Sequence, residues 1–342
     1  MSLQLRLTGT LLGTAIGDAL GLAVEGMSAK AIRKRFGVVD RFHLLGSTGY
    51  VSDDTEQSAL IVQSLLRHPE DAVRCAHAFR HSLLGWFFRL PWGIGGATLR
   101  SCLRMAFGMS PSGVASAGNG AAMRAAVVGV FFHNDALQRH TYGTLLAETT
   151  HKDSRAVQGA LFVAELAAAC VRHDAQTDWR ELIKAARAVV NEASLGSAID
   201  AALALALLPI PVEEAGNRIG TTGFVSHTVP FAMFCFMRHG DDPARALTSA
   251  VNAGGDTDSI AAILGGWLGA LHGEQGLPAI WIDRLCGGPF GKQHLRSLGS
   301  AASEMRQGKA HSIPTFSWPL ALLRNLALYP VVLGHGLRHL FS

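Results

Sequence analysis

Glycines at positions 9, 13, 17 and 21 recur every fourth residue through a stretch otherwise rich in Ala, Leu and Thr. Residues four apart share one face of a helix, so the spacing predicts a helix over residues 5–24 with a bare stripe along one side. A second backbone can approach such a stripe closely, as at other small-residue faces. Asp18 sits within this stretch and Glu25 just beyond it. Carboxylates are seldom placed on or beside a buried element without partners. Asp18 reads as a local cap or hydrogen-bonding group, and Glu25, at the helix exit, as the better candidate for chemistry.

The rest of the chain carries helical patterning as well. Helices are predicted from the cluster at Ser52 to Arg67, from Pro69 to Trp86, Ala97 to Phe107, Ala121 to Phe132 and Arg155 to Val171. Further ones are predicted over 178–193, 196–207, 228–239, 242–253 and 260–271. Sustained apolar-polar alternation is missing, as is any Asn-Gly hairpin between β-branched runs, and no fixed repeat is visible. The expectation is an all-α chain with one compact domain over residues 1–310. Residues 311–342 form a distinct apolar extension in which Pro319, Pro330, Asn325 and His335 interrupt any single amphipathic helix. It is expected to pack back on the domain or on a partner.

Composition narrows the function classes. With 342 residues, 49% hydrophobic and 16% charged, the chain can bury a large core and is not disordered. The 30 basic and 26 acidic residues leave a net charge of +4, which lacks the dense basic stripe of a nucleic-acid binder. Cys75, Cys102, Cys170, Cys235 and Cys286 are scattered and never form C-x-x-C, the usage of reduced core cysteines in a cytoplasmic protein. Arg6 followed by Leu7 to Ile16 imitates a secretory signal, but Asp18 interrupts it. No membrane span is expected.

Two acidic clusters stand out: Ser52-Asp53-Asp54-Thr55-Glu56 and Asp256-Thr257-Asp258-Ser259, each followed by an apolar run. Singly, each reads as a helix cap, with Asp53 and Glu56 in capping-box spacing. Together they hold more negative charge than capping requires, and if they converge they need cations. Oxygen-only donors suit hard cations, Mg²⁺ or Mn²⁺, rather than zinc. Two glycine loops add candidate ligand surfaces. Gly93-Ile94-Gly95-Gly96 reads as a turn or as a close backbone approach to a ligand. Ser116-Ala117-Gly118-Asn119-Gly120, ahead of a predicted helix, reads equally as a turn or as free N–H donors for a phosphate or hydroxyl. His151 opens another helix and, taken alone, reads as a structural hydrogen-bonding group. Arg33-Lys34-Arg35 reads as a solvated face.

In this order, Gly17-Asp18-Ala19-Leu20-Gly21 with Glu25, Ser52 to Thr55, Gly93 to Gly96, Gly118 to Arg124, Thr150-His151 and Gly254 to Ser259 resemble the ADP-ribosylglycohydrolase family. The resemblance implies an all-helical fold around two adjacent divalent cations. It places Ser52, Asp53 and Asp54 on one side of the metals and Asp256, Asp258 and Ser259 on the other. Many family members have threonine at the first and last of these six positions, and serine keeps the hydroxyl. The implied reaction is hydrolysis of the bond between ribose C1″ and an acceptor side chain, arginine first. Glu25, Asp54 and Asp256 would stand at the reacting centre, with Ser116, Gly118, Asn119, Gly120 and His151 facing ADP-ribose. The implied partners are an ADP-ribosylated protein, ADP-ribose as product, and an ADP-ribosyltransferase or its target. A nucleotide phosphohydrolase would use the same donors, and a non-catalytic ADP-ribose binder would have eroded them; here every proposed ligand keeps an oxygen.

Overall fold

Helix α1 (Leu3–Gly21) is buried along nearly its whole length, because its glycine stripe faces a second glycine-bearing helix. In the computed structural model, which describes residues 1–172 and 178–340, α1 lies against the helix Thr257–His272 with backbone touching backbone. A Cβ on Gly13 would stand 2.0 Å from the Gly265 carbonyl oxygen, and one on Gly265 would stand 2.0 Å from that of Gly13. The same holds for Gly9 against Gly269 and for Gly17 against the Ala261 carbonyl. Arg6, in the stretch that imitated a signal, is buried and donates to the Cys170, Ala270 and Leu271 carbonyls at the ends of two other helices.

The other helices wrap this pair in a single large core, and the described residues contain only isolated β-bridges, so the fold is all-α. Helix α2 (Asp53–Arg67) runs beside α1 and carries the first acidic cluster in its first turn. Helix α3 (Thr257–His272) likewise begins within the second. The five cysteines are free and buried. By length and composition alone, Leu3–Val24 and Ser154–Arg172 could each cross a membrane, contrary to the expectation that no segment is long and apolar enough. Burial accounts for both, since they are interior helices of the fold.

Three sequence expectations change here. Residues 121–132 do not form one helix: a 3-10 turn over Asn119–Ala121 is separated from a short helix Ala126–Phe131. The helices Ala29–Phe36, Ala136–Glu148, Val212–Ile219, Ala279–Arg284 and Lys292–Arg306 were not anticipated. The extension is a single helix, α4 (Trp318–Leu340), despite its prolines. Pro319 falls in the first turn, where a missing N–H costs nothing, and Pro330 forfeits one backbone bond. Ala321, Asn325 and Leu328 are buried against the domain, and Arg324 pairs with Glu56 of α2. Leu320, Leu323, Leu326 and Leu333 on the same helix are exposed. Phe341 and Ser342, the end of the expected extension, lie outside the described residues.

Because Gly13 and Gly265 leave no space for a side-chain carbon, Gly13→Ala should lower stability by about 3 kcal/mol or more. Urea unfolding measures this, and an unchanged midpoint would mean that α1 and α3 can separate freely.

Candidate active site

Glu25 reaches the second acidic cluster because its loop is stitched to the loop before α3. The Gly26 N–H donates to the Gly255 carbonyl at 2.8 Å, and the Gly255 N–H donates to the Met27 carbonyl at 2.9 Å. Gly254 and Gly255 adopt φ of +78° and +89°, and a Cβ on Gly255 would lie 2.1 Å from the Thr221 carbonyl oxygen. Only glycine meets both demands. The Thr257 hydroxyl then donates to the Gly21 carbonyl at 2.8 Å, tying the start of α3 to the end of α1. As a result, carboxylate oxygens of Glu25, Asp256 and Asp258 lie within 4.8 Å of one another.

The first cluster is held from α1 by Asp18. Its carboxylate accepts from the Ser52 N–H at 2.9 Å, the Ser52 hydroxyl at 2.8 Å, the Thr55 N–H at 3.2 Å and the Thr55 hydroxyl at 2.5 Å. Asp18 is therefore neither local nor spare: it is the N-terminal cap of α2, supplied from another helix. The expected capping box does not form. Ser52 makes no side-chain cap, and Glu56 accepts from the Trp86 indole at 2.7 Å and pairs with Arg324. Asp53 and Asp54 are thereby left with their carboxylates uncommitted to capping.

Crowding so many acids raises their proton affinity. Desolvation first, then the charge of Asp256, pushes Glu25 up to about 7, although the residue keeps an exposed face in the cleft. Desolvation pushes Asp18 up to about 6 against its four hydrogen bonds. Asp53, Asp54 and Asp258 are all raised well above the usual carboxylate range, by desolvation and then by their acidic neighbours. Asp54 Oδ1 is buried without a hydrogen-bond partner, while its Oδ2 lies 3.4 Å from the Ser52 hydroxyl and 3.5 Å from that of Ser259. A buried, unpartnered carboxylate oxygen among like charges and hydroxyls fits hard divalent cations.

The opposite wall supplies neutral donors. Asn119 spends its side-chain N–H groups on Asp256 at 2.6 Å and on the Thr228 hydroxyl at 3.0 Å, and its backbone N–H on the Gly223 carbonyl. It thereby orients Asp256, a role that the sequence reading of this loop, a turn or free N–H donors, did not include. His151 is fixed more tightly than sequence suggested. Buried Arg124 donates to the Gln57 carbonyl oxygen at 2.5 Å and to the Thr150 hydroxyl at 2.7 Å. With Thr150 accepting from Arg124, its own hydrogen is directed at His151 Nδ1, 2.8 Å away. Burial, then Arg124, pushes His151 down to about 3, so the ring is neutral with its proton on Nε2. That nitrogen lies on the side of Gly118 and Gly120, where a Cβ would come within 3.4 Å of it. Gln57 also donates to Asp53 at 3.1 Å, so one buried chain links the histidine to the acidic side.

These groups surround a cavity of about 360 Å³. It is lined by Glu25, Asp53, Asp256, Asp258 and Ser259 on one side and by Ser116, Gly118, Asn119, Gly120 and His151 on the other. Ser52 and Asp54 stand behind this lining. Gly93, Gly95 and Gly96 complete it; Gly93 has φ of +80°, and a Cβ there would lie 3.0 Å from Asp53 Oδ1. Thr98, Arg100 and Gly223 also line the cavity and were not anticipated. Their only sequence signal was the glycine run just ahead of Thr98 and Arg100.

An acid whose folded pKa lies above its unfolded value stabilises the fold while protonated and loses that contribution as pH rises through the folded value. Here Asp18 and Glu25 lose it up to about 6 and about 7, and Asp53, Asp54 and Asp258 extend the loss upward. In EDTA, the melting temperature should therefore fall between about pH 5 and about pH 8, and Mg²⁺ or Mn²⁺ should shrink that fall. Calorimetry across pH tests this, and a flat EDTA profile contradicts it.

The chain is similar to known proteins over most of its length. A family profile described as ADP-ribosylglycohydrolase matches residues 1–311. An uncharacterized protein of Archaeoglobus fulgidus is 32% identical over 288 residues, covering 80% of this chain and 90% of the relative. ADP-ribosylhydrolase ARH3 of Gallus gallus is 26% identical, covering 81% and 88%. ADP-ribosylarginine hydrolase Tri1 of Pseudomonas putida is 25% identical, covering 86% and 76%. A solved structure, an ADP-ribosylglycohydrolase-related protein complex, matches with a TM-score of 0.70 at 27% identity over 89% of this chain and 99% of that one. With the profile spanning everything but the C-terminal extension, the chain belongs to the ADP-ribosylglycohydrolase family.

Proposed function

We propose that this chain is a divalent-metal-dependent hydrolase releasing ADP-ribose from modified protein side chains, with arginine as the acceptor. The observation that carries the reading is the meeting of Glu25, Asp256 and Asp258 within 4.8 Å at one side of a cavity whose other side presents Asn119, Gly120 and a neutral His151. Membership of a glycohydrolase family supports a hydrolase acting on glycosyl bonds. The name of the Tri1 relative supports arginine, and that of ARH3 leaves the linkage to be tested.

In this reading Ser52, Asp53, Asp54, Asp256, Asp258 and Ser259 would hold two cations, Mg²⁺ or Mn²⁺. Bound there, such ions supply charge compensation, a hold on vicinal ribose hydroxyls and polarisation of water. The chain's own groups do the rest. Asn119 fixes Asp256, and His151 offers its Nε2 proton to a ribose or diphosphate oxygen. Glu25 takes a proton from the attacking water. The hydroxyl adds at C1″ as the bond to the acceptor nitrogen breaks, and Glu25 returns the proton to that leaving nitrogen, closing the balance. Charge builds toward an oxocarbenium-like state near the carboxylates. The five free, buried cysteines support a cytoplasmic setting.

The test is release of free ADP-ribose from separately prepared arginine-linked and serine-linked proteins, with Mg²⁺, with Mn²⁺ and with EDTA. Release from the arginine linkage should require metal and fall by roughly a hundredfold or more in Asp256→Ala. Release from serine alone moves the linkage. No release from either, with ADP-ribose still bound, moves the protein to a non-catalytic binder.

A further inference from the structure

A second cavity, of about 290 Å³, adjoins the first, and Glu25 and Gly93 line both. Its other walls are Leu22 and Leu44, Trp92, and two residues of α4, Val332 and His335. These α4 residues lie beyond the part of the chain that the family profile covers. The helix is fastened along the segment that carries Trp92. The Asn325 amide donates to the Arg89 carbonyl at 2.9 Å, and the Tyr329 hydroxyl donates to the Pro91 carbonyl at 3.3 Å. His335 Nε2 lies 3.0 Å from the Leu44 carbonyl oxygen. Leu22, Leu44, Trp92 and Leu328 form a small apolar cluster of their own, with Val332 packed against it.

From this geometry we infer that the C-terminal helix builds the acceptor subsite of the enzyme, a pocket for the arginine side chain that carries ADP-ribose. The inference rests on the function proposed above and adds where the acceptor lies and what recognises it. Glu25 stands on the border of the two cavities, so a ribose C1″ in the first and a leaving group in the second would meet at its carboxylate. Leu22, Leu44, Trp92 and Val332 give the second cavity its apolar and aromatic surface, beside polar groups that include Glu25 and His335. A guanidinium on a methylene stem matches it, since the stem lies on apolar surface while the planar cation stacks on an aromatic ring and pairs with a carboxylate. The short hydroxymethyl of serine would leave the aliphatic walls uncovered. Glu25 and Gly26 are exposed, so the modified protein can approach from solvent.

Val332→Trp and Leu44→Trp each fill the cavity with a lining side chain. Each should lower kcat/KM on an arginine-linked protein by about tenfold or more, with ADP-ribose affinity by calorimetry within about twofold of wild type. Leu333→Ala, on the exposed side of the same helix, should change neither. On the unaltered protein, butylguanidine, a guanidinium on a short apolar stem, should inhibit competitively against the arginine-linked substrate without displacing ADP-ribose, and agmatine, which adds a terminal ammonium to that stem, should do the same. If wild type cleaves arginine-linked protein, filled variants that bind ADP-ribose match it and neither guanidine inhibits, the acceptor subsite is overturned while the enzyme reading stands. If wild type leaves arginine-linked protein uncleaved, the proposed function falls, and this inference with it.

Discussion

The contact of α1 with α3 along their glycine faces is the constraint on which the site depends. Each helix leads directly to part of the chemistry. The end of α1 delivers Glu25, its last turn carries Asp18, and the first turn of α3 carries Asp258 and Ser259. Were the backbones kept apart by even one methyl per turn, the Thr257 bond to the Gly21 carbonyl would stretch and Glu25 would draw away from Asp256. Side-chain volume has been removed so that two backbones carrying charged termini can meet. Asp18 extends this logic to α2, because four hydrogen bonds from one carboxylate fix where Asp53 and Asp54 begin.

That scaffold holds an arrangement that is electrostatically unfavourable by itself. Desolvation and mutual repulsion act on Glu25, Asp53, Asp54 and Asp258 alike, and the fold supplies few compensating donors on the side facing the cavity. Arg100 lines the cavity and bears on His151, and the other cations stand farther back. Arg124 is one step removed, acting on Asp53 through Gln57, and Arg324 answers Glu56. A structural acidic site would have drawn an arginine into the cluster. With no arginine paired to Glu25, Asp54, Asp256 or Asp258 among the described residues, the inner oxygens are left for a ligand of higher charge.

Much of this was legible in the sequence, and the reasons are specific. The glycine stripe of α1 was visible because its spacing is strict. The matching stripe of α3, Ala261, Gly265, Gly269 and Gly273, is equally regular but sits inside an apolar run that reads as an ordinary core helix. The acidic clusters were conspicuous as residue types, and the structure brings Glu25, Asp53, Asp256, Asp258 and Ser259 to one cavity. What short-range patterns could not convey was who holds whom. Asp18 looked local because its partners lie 34 and 37 residues away. Asn119 looked like a ligand-facing turn because its bond to Asp256 spans 137 positions. The tautomer of His151 follows from Arg124, which the family motif contained without indicating its partners.

The C-terminal helix shows the same limit from the other direction. Two prolines argued against a continuous helix, yet tertiary contacts outweigh the single backbone bond lost at Pro330. Arg324 meets Glu56, Asn325 caps the Arg89 carbonyl, and Leu328 packs beside Trp92. Glu56 follows directly from the cluster that starts α2, so the extension is anchored to the same short stretch of chain as the acidic site. Its own anchors reach the Arg89 and Pro91 carbonyls, just ahead of the glycine that faces Asp53. A segment beyond the residues that the family profile matches is thus coupled to the site through one loop. Val332 and His335 of α4 form part of the wall beside Glu25 and take no part in the α1–α3 contact.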